Sequence, residues 1–232
     1  MDEFATRKGY KSFVTTLVDI DKGRLLEVVN SHKQQEIIET LEALPQNLRE
    51  KVEEVSIDMW GGFVKVVKRV FPKAEIVYDH FHVIKKVNQE LNKLRKILKV
   101  KGKGLPFLLW KNKEELDEEG REKLESSLKV SPCLRIAYEL KEELREIYKN
   151  VNTVKSGKQR MKKWIRDAEL FFYESAAMLK KHLEGVCNYF KNHTTSGVTE
   201  GINTKIKLIK RQAYGLPLFE NLRLRLLSNF CG

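Results

Sequence analysis

The sequence predicts an α/β fold: a mixed five-stranded sheet flanked by helices and interrupted by a large all-helical insertion. Residues 2–29 are rich in β-branched residues and turn signals, and residues 55–78 alternate short apolar runs with a helical pattern. From Val83 to about His193 we find no convincing strand pattern. We therefore expect three parts: residues 1–85 as the first part of the sheet core, residues 86–193 as the insertion, and residues 194–232 as the last part of the core.

The opening residues predict three strands. Runs over residues 2–5, 13–19 and 24–29 have strand composition, and turns are expected at Lys8-Gly9 and at Asp21–Gly23. Because the connections are short, these strands should form an antiparallel meander.

Helix and strand patterns alternate in the next stretch. Apolar residues at helical spacing predict helices over about 33–43, 48–53 and 60–70. Short apolar runs predict strands over 55–57 and 75–78. This alternation is typical of helices packed on a mixed sheet.

The insertion is predicted as a set of charged helices. Helical patterns cover residues 87–98, 114–128 and 134–148. A basic run over 156–163 follows, and residues 164–189 are predicted to form one or two long helices. Beyond the insertion, a helix begins near Glu200, and an amphipathic helix follows Pro217. Arg223 and Arg225 in that last helix continue the basic theme.

Charge indicates the class of partner. The chain has 44 Lys and Arg against 32 Asp and Glu, a net charge of +12. Such an excess favours a polyanion, most plausibly nucleic acid, over the alternative of a cationic surface that only aids solubility. No run of eighteen apolar residues and no signal-peptide pattern is present, so we expect a cytoplasmic protein without a membrane partner.

The three cysteines do not indicate a metal or disulfide framework. Cys133, Cys187 and Cys231 are far apart, and no CxxC pair occurs. We expect reduced cysteines that are buried or inert.

The helix that begins near Glu200 has a candidate binding face. Steps of three or four residues connect Glu200, Asn203, Lys207 and Arg211, so an acid, an amide and cations should share one exposed face. A carboxylate can hold a divalent metal, and the cations can hold phosphates. The alternative is an ordinary solvated helix face beside a turn.

Two aspartates upstream strengthen the metal interpretation. Asp2 lies on the first predicted strand, and Asp58 follows the fourth. If those strands pair in parallel, both carboxylates lie together where such sheets bind ligands. Close carboxylates repel unless a cation lies between them, and Mg²⁺ suits oxygen ligands. With Glu200, they could hold two ions for an in-line attack on a phosphodiester.

Asp79 and His82 end the fifth predicted strand and have several interpretations. They could be metal ligands, residues that support the ligands, or a structural pair. Asp79 is the alternative to Asp58 as the second metal ligand.

Six segments together resemble the insertion-sequence transposases of the ISL-three group. In chain order they are Asp2–Tyr10, Thr15–Asp19, Ile57–Trp60, Phe71–Ala74, Asp79–Val83 and Glu200–Asn203. The resemblance implies an RNase H-like catalytic core with a DDE triad and a helical insertion between the second Asp and the Glu. It assigns the triad, with two Mg²⁺ or Mn²⁺ ions, to Asp2, Asp58 and Glu200.

The same resemblance implies further roles and partners. Asp79 and His82 resemble a D-x-x-H motif that supports the active site. Lys207, Lys210 and Arg211 are expected to contact the DNA backbone, and Asn203 is expected to bind DNA beside them. The implied partners are transposon ends and target DNA, with a homodimer or higher assembly on DNA.

One departure leaves three functional alternatives open. The resemblance implies an N-terminal zinc-binding and helix-turn-helix region, whereas this sequence starts one residue before Asp2, so we expect a truncated reading frame. The alternatives are a strand-transfer enzyme, inactive if truncation has removed its function; a non-catalytic DNA-binding or regulatory remnant; and a simple RNase H-like nuclease.

Overall fold

The computed structural model describes residues 1–5, 13–59, 62–195, 197–213 and 218–230, with the backbone alone for residues 4 and 5. Its strands are β1 (Asp2–Ala5), β2 (Phe13–Asp19), β3 (Arg24–Val29), β4 (Glu54–Ile57) and β5 (Glu75–Tyr78). Its helices are α1 (Gln34–Glu42), α2 (Gln46–Arg49), α3 (Phe63–Val70), α4 (His80–Ile97), α5 (Leu105–Trp110), α6 (Glu118–Lys129), α7 (Pro132–Asn150), α8 (Val154–Ala168), α9 (Tyr173–Lys181), α10 (Leu183–Cys187), α11 (Tyr189–Asn192), α12 (Gly197–Gln212) and α13 (Phe219–Phe230), with a 3₁₀ helix at Lys113–Glu115.

The chain divides into two compact units. The first contains Met1–Asp79 and Thr194–Gly232, and the second contains His80–His193. The described strands all lie in the first unit, and the regular secondary structure of the second unit is helical.

The first unit contains two small sheets. β1, β2 and β3 form an antiparallel meander in that order, as predicted, and Gly23 adopts a left-handed conformation in the turn before β3. β4 and β5 pair in parallel. The mixed α/β class is confirmed, but the single five-stranded sheet is not shown, because the strands pair as three and two.

A hydrogen bond connects the two sheets of the first unit. The amino group of Met1, next to β1, donates to the carbonyl oxygen of Ser56 in β4 at 2.7 Å. No β1–β4 ladder is present among the described strands. β1 and β4 have four residues each, so few backbone groups are available for such a ladder.

A cluster of aliphatic residues joins the meander to the two last helices. Val14 and Val18 of β2 lie on the same face as Leu25 and Val28 of β3, which are three residues apart because the register shifts between them, and the apolar stripes of α12 and α13 cover this face. The buried members are Val14, Val18, Leu25, Val28, Ile202, Ile206, Ile209, Leu222, Leu226 and Phe230. This packing fixes α12, which carries Glu200, against the sheet that carries Asp2.

The second unit has a core built around Trp164. Its indole ring is fully buried, stacks on Phe172, and donates from Nε1 to the carbonyl oxygen of Leu140 at 2.7 Å. A side chain at Gly157 would overlap the ring of Phe190, so α8 and α11 approach closely there.

Several predicted helix boundaries are wrong. Pro45 precedes the second short helix, which therefore covers residues 46–49 rather than 48–53. The Asp117 side chain accepts from the amide of Gly120, and this cap starts α6 at residue 118 rather than 114.

The prediction of one or two long helices over residues 164–189 is also wrong. Thr153 caps a helix that starts at Val154, so the basic run lies inside α8. α8 ends at Ala168, and three shorter helices follow. The predicted turn at Lys8-Gly9 and the residue Trp60 lie outside the described residues. No helix in the described parts of the chain is long and apolar enough to cross a membrane.

Candidate active site

Asp2 is held on the edge strand β1 by three hydrogen bonds. Its Oδ2 accepts from Nδ2 of Asn203 at 2.6 Å, and its Oδ1 accepts from the amide of Glu3 at 2.8 Å. The hydroxyl of Thr16, opposite Asp2 in the ladder, donates to the Asp2 carbonyl oxygen at 3.2 Å. These bonds fix the backbone and the carboxylate together.

Asp58 and Asp79 follow the carboxyl ends of two neighbouring parallel strands. Ile57 and Tyr78 are partners in the β4–β5 register, and each aspartate is the next residue. The amide of Asp79 donates to the carbonyl oxygen of Ile57 at 3.2 Å, which extends the pairing to this level. Asp79 is 2% exposed, whereas Asp58 is half-buried. The geometry therefore keeps both as possible ligands at one sheet edge.

Electrostatic effects connect Asp2 to both later aspartates. Burial lowers the pKa of the Met1 amino group to about 6, while the charges of Asp2 and Asp79 oppose that shift. Burial also raises the pKa of Glu3. The charge of His32 opposes this increase, and the charges of Asp2 and Asp58 add to it. Asp2, Asp58 and Asp79 therefore influence the same small region of the first unit.

α12 brings Glu200 to the end of the helix that contacts Asp2. Glu200 is exposed in the first turn of α12, and Asn203 follows three residues later, about 4.5 Å along the axis. The prediction that Asn203 lies on the exposed face is wrong, since it is 7% exposed and bonded to Asp2. Asn203 shares the buried stripe of α12 with Ile202 and Ile206.

The cations of α12 differ in exposure. Lys207 and Arg211 are exposed, as predicted, and Lys210 is half-buried and engaged in an interaction. In α13, Arg223 makes a bidentate pair with Glu27, from Nε to Oε1 at 2.6 Å and from Nη2 to Oε2 at 2.5 Å. Arg223 is thus structural, whereas Arg225 is exposed.

The residue types at the candidate site suit a divalent cation, but their positions in this structure do not form a metal site. Carboxylate oxygens are the ligands that Mg²⁺ and Mn²⁺ prefer. Among the residues that the structure describes, however, no group of three His, Cys, Asp or Glu side chains could hold one ion. An ion shared by Asp2, Asp58 and Glu200 would require their carboxylates to come closer together than they are here.

The family was identified by comparison with known proteins. The sequence model of the ISL3-type transposases, described as "Transposase", matches residues 1–226. The chain belongs to the ISL3 transposase family. The matched region includes every residue of the candidate site, and it includes the helical second unit as well.

Relatives with curated descriptions are transposases of insertion sequences. The chain is 29% identical over 255 residues to the transposase for insertion sequence element IS1001 of Bordetella parapertussis, covering 100% of this chain and 60% of that protein. It is 29% identical over 252 residues to the transposase for insertion sequence element IS1557 of Mycobacterium tuberculosis, covering 93% of this chain and 56% of that protein. The chain thus spans less than two thirds of these ISL3 relatives. No solved structure matches it.

Two features of this ISL3 site were missed from the sequence. Glu3 is a half-buried acid beside the charges of Asp2 and Asp58, and strand alternation could have drawn attention to it. Asn203 was assigned to the solvent face, although its spacing from Thr199 and Ile206 matches the buried stripe. His82 lies half-buried in α4 of the second unit.

Proposed function

We propose that this ISL3-family chain contains the catalytic residues for metal-dependent DNA strand cleavage and strand transfer. The residues proposed are Asp2, Asp58 and Glu200, with Asp79 as the alternative to Asp58. The observation that carries the proposal is the 2.6 Å hydrogen bond from Asn203 to Asp2, because it joins the helix of the late glutamate to the strand of the first aspartate. Asn203 and Asp2 are 201 positions apart in the sequence.

The protein groups have defined tasks in this proposal. Asp2 and one of the two later aspartates would hold a divalent ion from the sheet edge, and Glu200 would complete its ligands from α12. When bound, Mg²⁺ or Mn²⁺ activates the attacking water or DNA hydroxyl and stabilises the leaving oxygen. Asn203 orients the Asp2 carboxylate, and the first unit needs no side-chain nucleophile. An RNase H-like arrangement, with β1 and β4 as neighbours, is part of the same proposal and is supported by the bond from Met1 to Ser56.

DNA would lie along the exposed part of α12. Lys207 and Arg211 follow Glu200 by two and three helical turns, so they are suited to contact phosphates next to the reacting one. Asn203 has no such role in the proposal, because it is buried against Asp2. Assembly of two or more copies on transposon ends, in the cytoplasm, belongs to the same proposal.

A nicking assay with supercoiled plasmid DNA and Mn²⁺ tests this function. We expect the chain to convert the plasmid to the nicked form, and we expect D58A and E200A each to abolish the conversion. E220Q is the matched control, because Glu220 is also an exposed acid in the first turn of a helix of the first unit. Nicking that both alanine variants retain would overturn the triad.

The products separate the three functional alternatives. Joined DNA strands together with nicks support a transposase, whereas hydrolysis without joining favours a simple nuclease. Salt-sensitive DNA binding without metal-dependent nicking by the wild-type chain would favour the non-catalytic alternative.

A further inference from the structure

α8, in the helical second unit, concentrates positive charge. Its fifteen residues include six Lys and Arg but one Asp. The neighbouring α7 has four of each sign, and α6 has three basic and four acidic residues. α4 has five basic residues and one acidic residue, so α8 is one of two strongly basic helices among these four.

The positive residues of α8 form a stripe opposite the core. Gly157, Met161, Trp164 and Ala168 are buried on one face. The opposite face carries Lys155, Gln159, Lys162 and Arg166, at positions i, i+4, i+7 and i+11. All four are exposed, and helical geometry places them within about 60° of one another around the axis. We call these four residues the α8 stripe.

Two cations of the α8 stripe have no ion-pair partner among the described residues. Lys155 and Lys162 form no ion pair with any residue that the structure describes. The lysines beside the stripe are neutralised instead, as Lys158 pairs with Glu184, and Lys163 contacts Glu143 at 3.3 Å. The stripe thus remains available to an external anion, as does the exposed Arg160 beside it.

Arg166, the third cation of the stripe, and the first turn of α8 are consistent with this interpretation. Arg166 has only a 3.5 Å contact to the next residue, Asp167. Lys155 lies in the first turn, which contains no acid, although the helix dipole disfavours a cation there. An anion bound beside Lys155 would interact favourably with both the side chain and the dipole.

The spacing of the stripe suits a chain of phosphates. Lys155 and Lys162 are about 10 Å apart along the axis, and Arg166 lies about 6 Å further. Each strand of duplex DNA carries one charge per about 3.4 Å of helix axis, so flexible cationic side chains at these intervals can reach separate phosphates. Gln159 adds an amide donor between them.

We propose that the α8 stripe binds the phosphate backbone of double-stranded DNA, which gives the second unit a DNA contact of its own. The inference rests on the proposed function only in taking DNA as the substrate. It assigns a separate binding surface to a helix outside the candidate active site.

Salt-dependent binding tests the inference. Fluorescence anisotropy with a labelled duplex of mixed sequence, at several salt concentrations, gives the slope of log Kobs against log[salt]. For K155Q/K162Q/R166Q we expect a slope less steep by about 0.9 for each lost phosphate contact, a total of about 1.8–2.7 for two or three contacts. The matched control is K113Q/R121Q/K129Q, which removes the same charge from exposed residues around α6.

Each other outcome has a defined meaning. Equal slopes for the two triple variants, or an unchanged slope for the α8 variant, would overturn the inference while leaving plasmid nicking by the wild type intact. An RNA duplex that competes as well as DNA would overturn the assignment of the partner. Absence of DNA binding by the wild-type chain would overturn both this inference and the proposed function.

Because all three α8 substitutions are on the exposed face, an unchanged thermal midpoint is expected. K162Q alone should give the effect of one lost phosphate contact.

Discussion

Asn203 makes the residue-scale contact on which the candidate site most depends. It is buried on α12, and its Nδ2 donates to the half-buried carboxylate of Asp2. A hydrogen bond to a charged acceptor contributes more than one between neutral groups, because the acceptor would otherwise lose its solvation without compensation. This contact links strand and helix directly.

Replacement of Asn203 should destabilise the first unit. We expect N203A to lower the free energy of unfolding by about 1.5–3 kcal/mol, since Asp2 loses its side-chain donor. T204A, an exposed substitution at the next position of the same helix, should change it by no more than about 0.5 kcal/mol. Urea unfolding of both variants measures the difference. Similar values for the two would show that the Asp2 contact contributes little.

Cys187 should be unreactive in the folded chain. Its thiol is fully buried, and burial raises its pKa to about 11. Since the pKa is higher in the folded state than its usual value of 9.0, the associated stability is complete below pH 9 and is lost as the pH rises towards 11. Iodoacetamide at neutral pH should therefore modify the half-exposed Cys133 and leave Cys187 unmodified, as judged by mass spectrometry. Equal labelling of Cys187 in native and urea-unfolded protein would contradict the buried placement.

The bidentate pair between Arg223 and Glu27 is the main polar contact that fixes α13 to β3. Glu27 is buried, and hydrogen bonding to its carboxylate raises the pKa of Arg223 above its usual range. The Glu27 Oε1 atom also accepts from the amide of Val28 at 2.7 Å. Arg223 therefore orients the helix that closes the aliphatic core.

Loss of this pair should loosen the last element. We expect R223M to reduce the free energy of unfolding by about 1–3 kcal/mol, a value between those of exposed and buried ion pairs, because Arg223 is partly exposed. R225M, on the same helix but exposed, is the control and should have little effect. A double-mutant cycle with E27Q measures the coupling, and a coupling near zero would rule out the pair as the anchor of α13.

Element types were more predictable than their partners. β2, β3 and β5 begin and end where the β-branched runs and turns predicted, because local sequence determines these strands. The role of Arg223 was not predictable, since Glu27 is 196 residues away in the sequence. The breaks between α8 and α11 were also missed, as no proline separates them and the packing of Trp164 and Phe172 is a tertiary effect.

Part of the candidate site could likewise be predicted. The positions of Asp58 and Asp79 after two short strands follow from two short apolar runs, but the parallel pairing was expected between β1 and β4, whereas β4 pairs with β5. The burial of Asn203 did not follow, because a polar amide within an apolar stripe was assigned to solvent. Sequence spacing gave the right helix for Glu200 but could not give the distance between its carboxylate and those of the aspartates.

At the scale of the whole molecule, the two units divide the proposed work. The first unit contains the carboxylates, and the second contains the α8 stripe. The net charge of +12 is consistent with DNA contacts in both units. ISL3 family membership supports DNA as the partner, and the two units are both within the matched region.

A crystal structure of the chain soaked with Mn²⁺ would show whether the three acids share one metal site. We predict an anomalous peak within about 2.0–2.3 Å of carboxylate oxygens from Asp2, from Asp58 or Asp79, and from Glu200. E200Q should weaken or abolish that peak, whereas E220Q should leave it unchanged. Manganese bound without Glu200, or bound equally well to the E200Q variant, would contradict the proposed catalytic site.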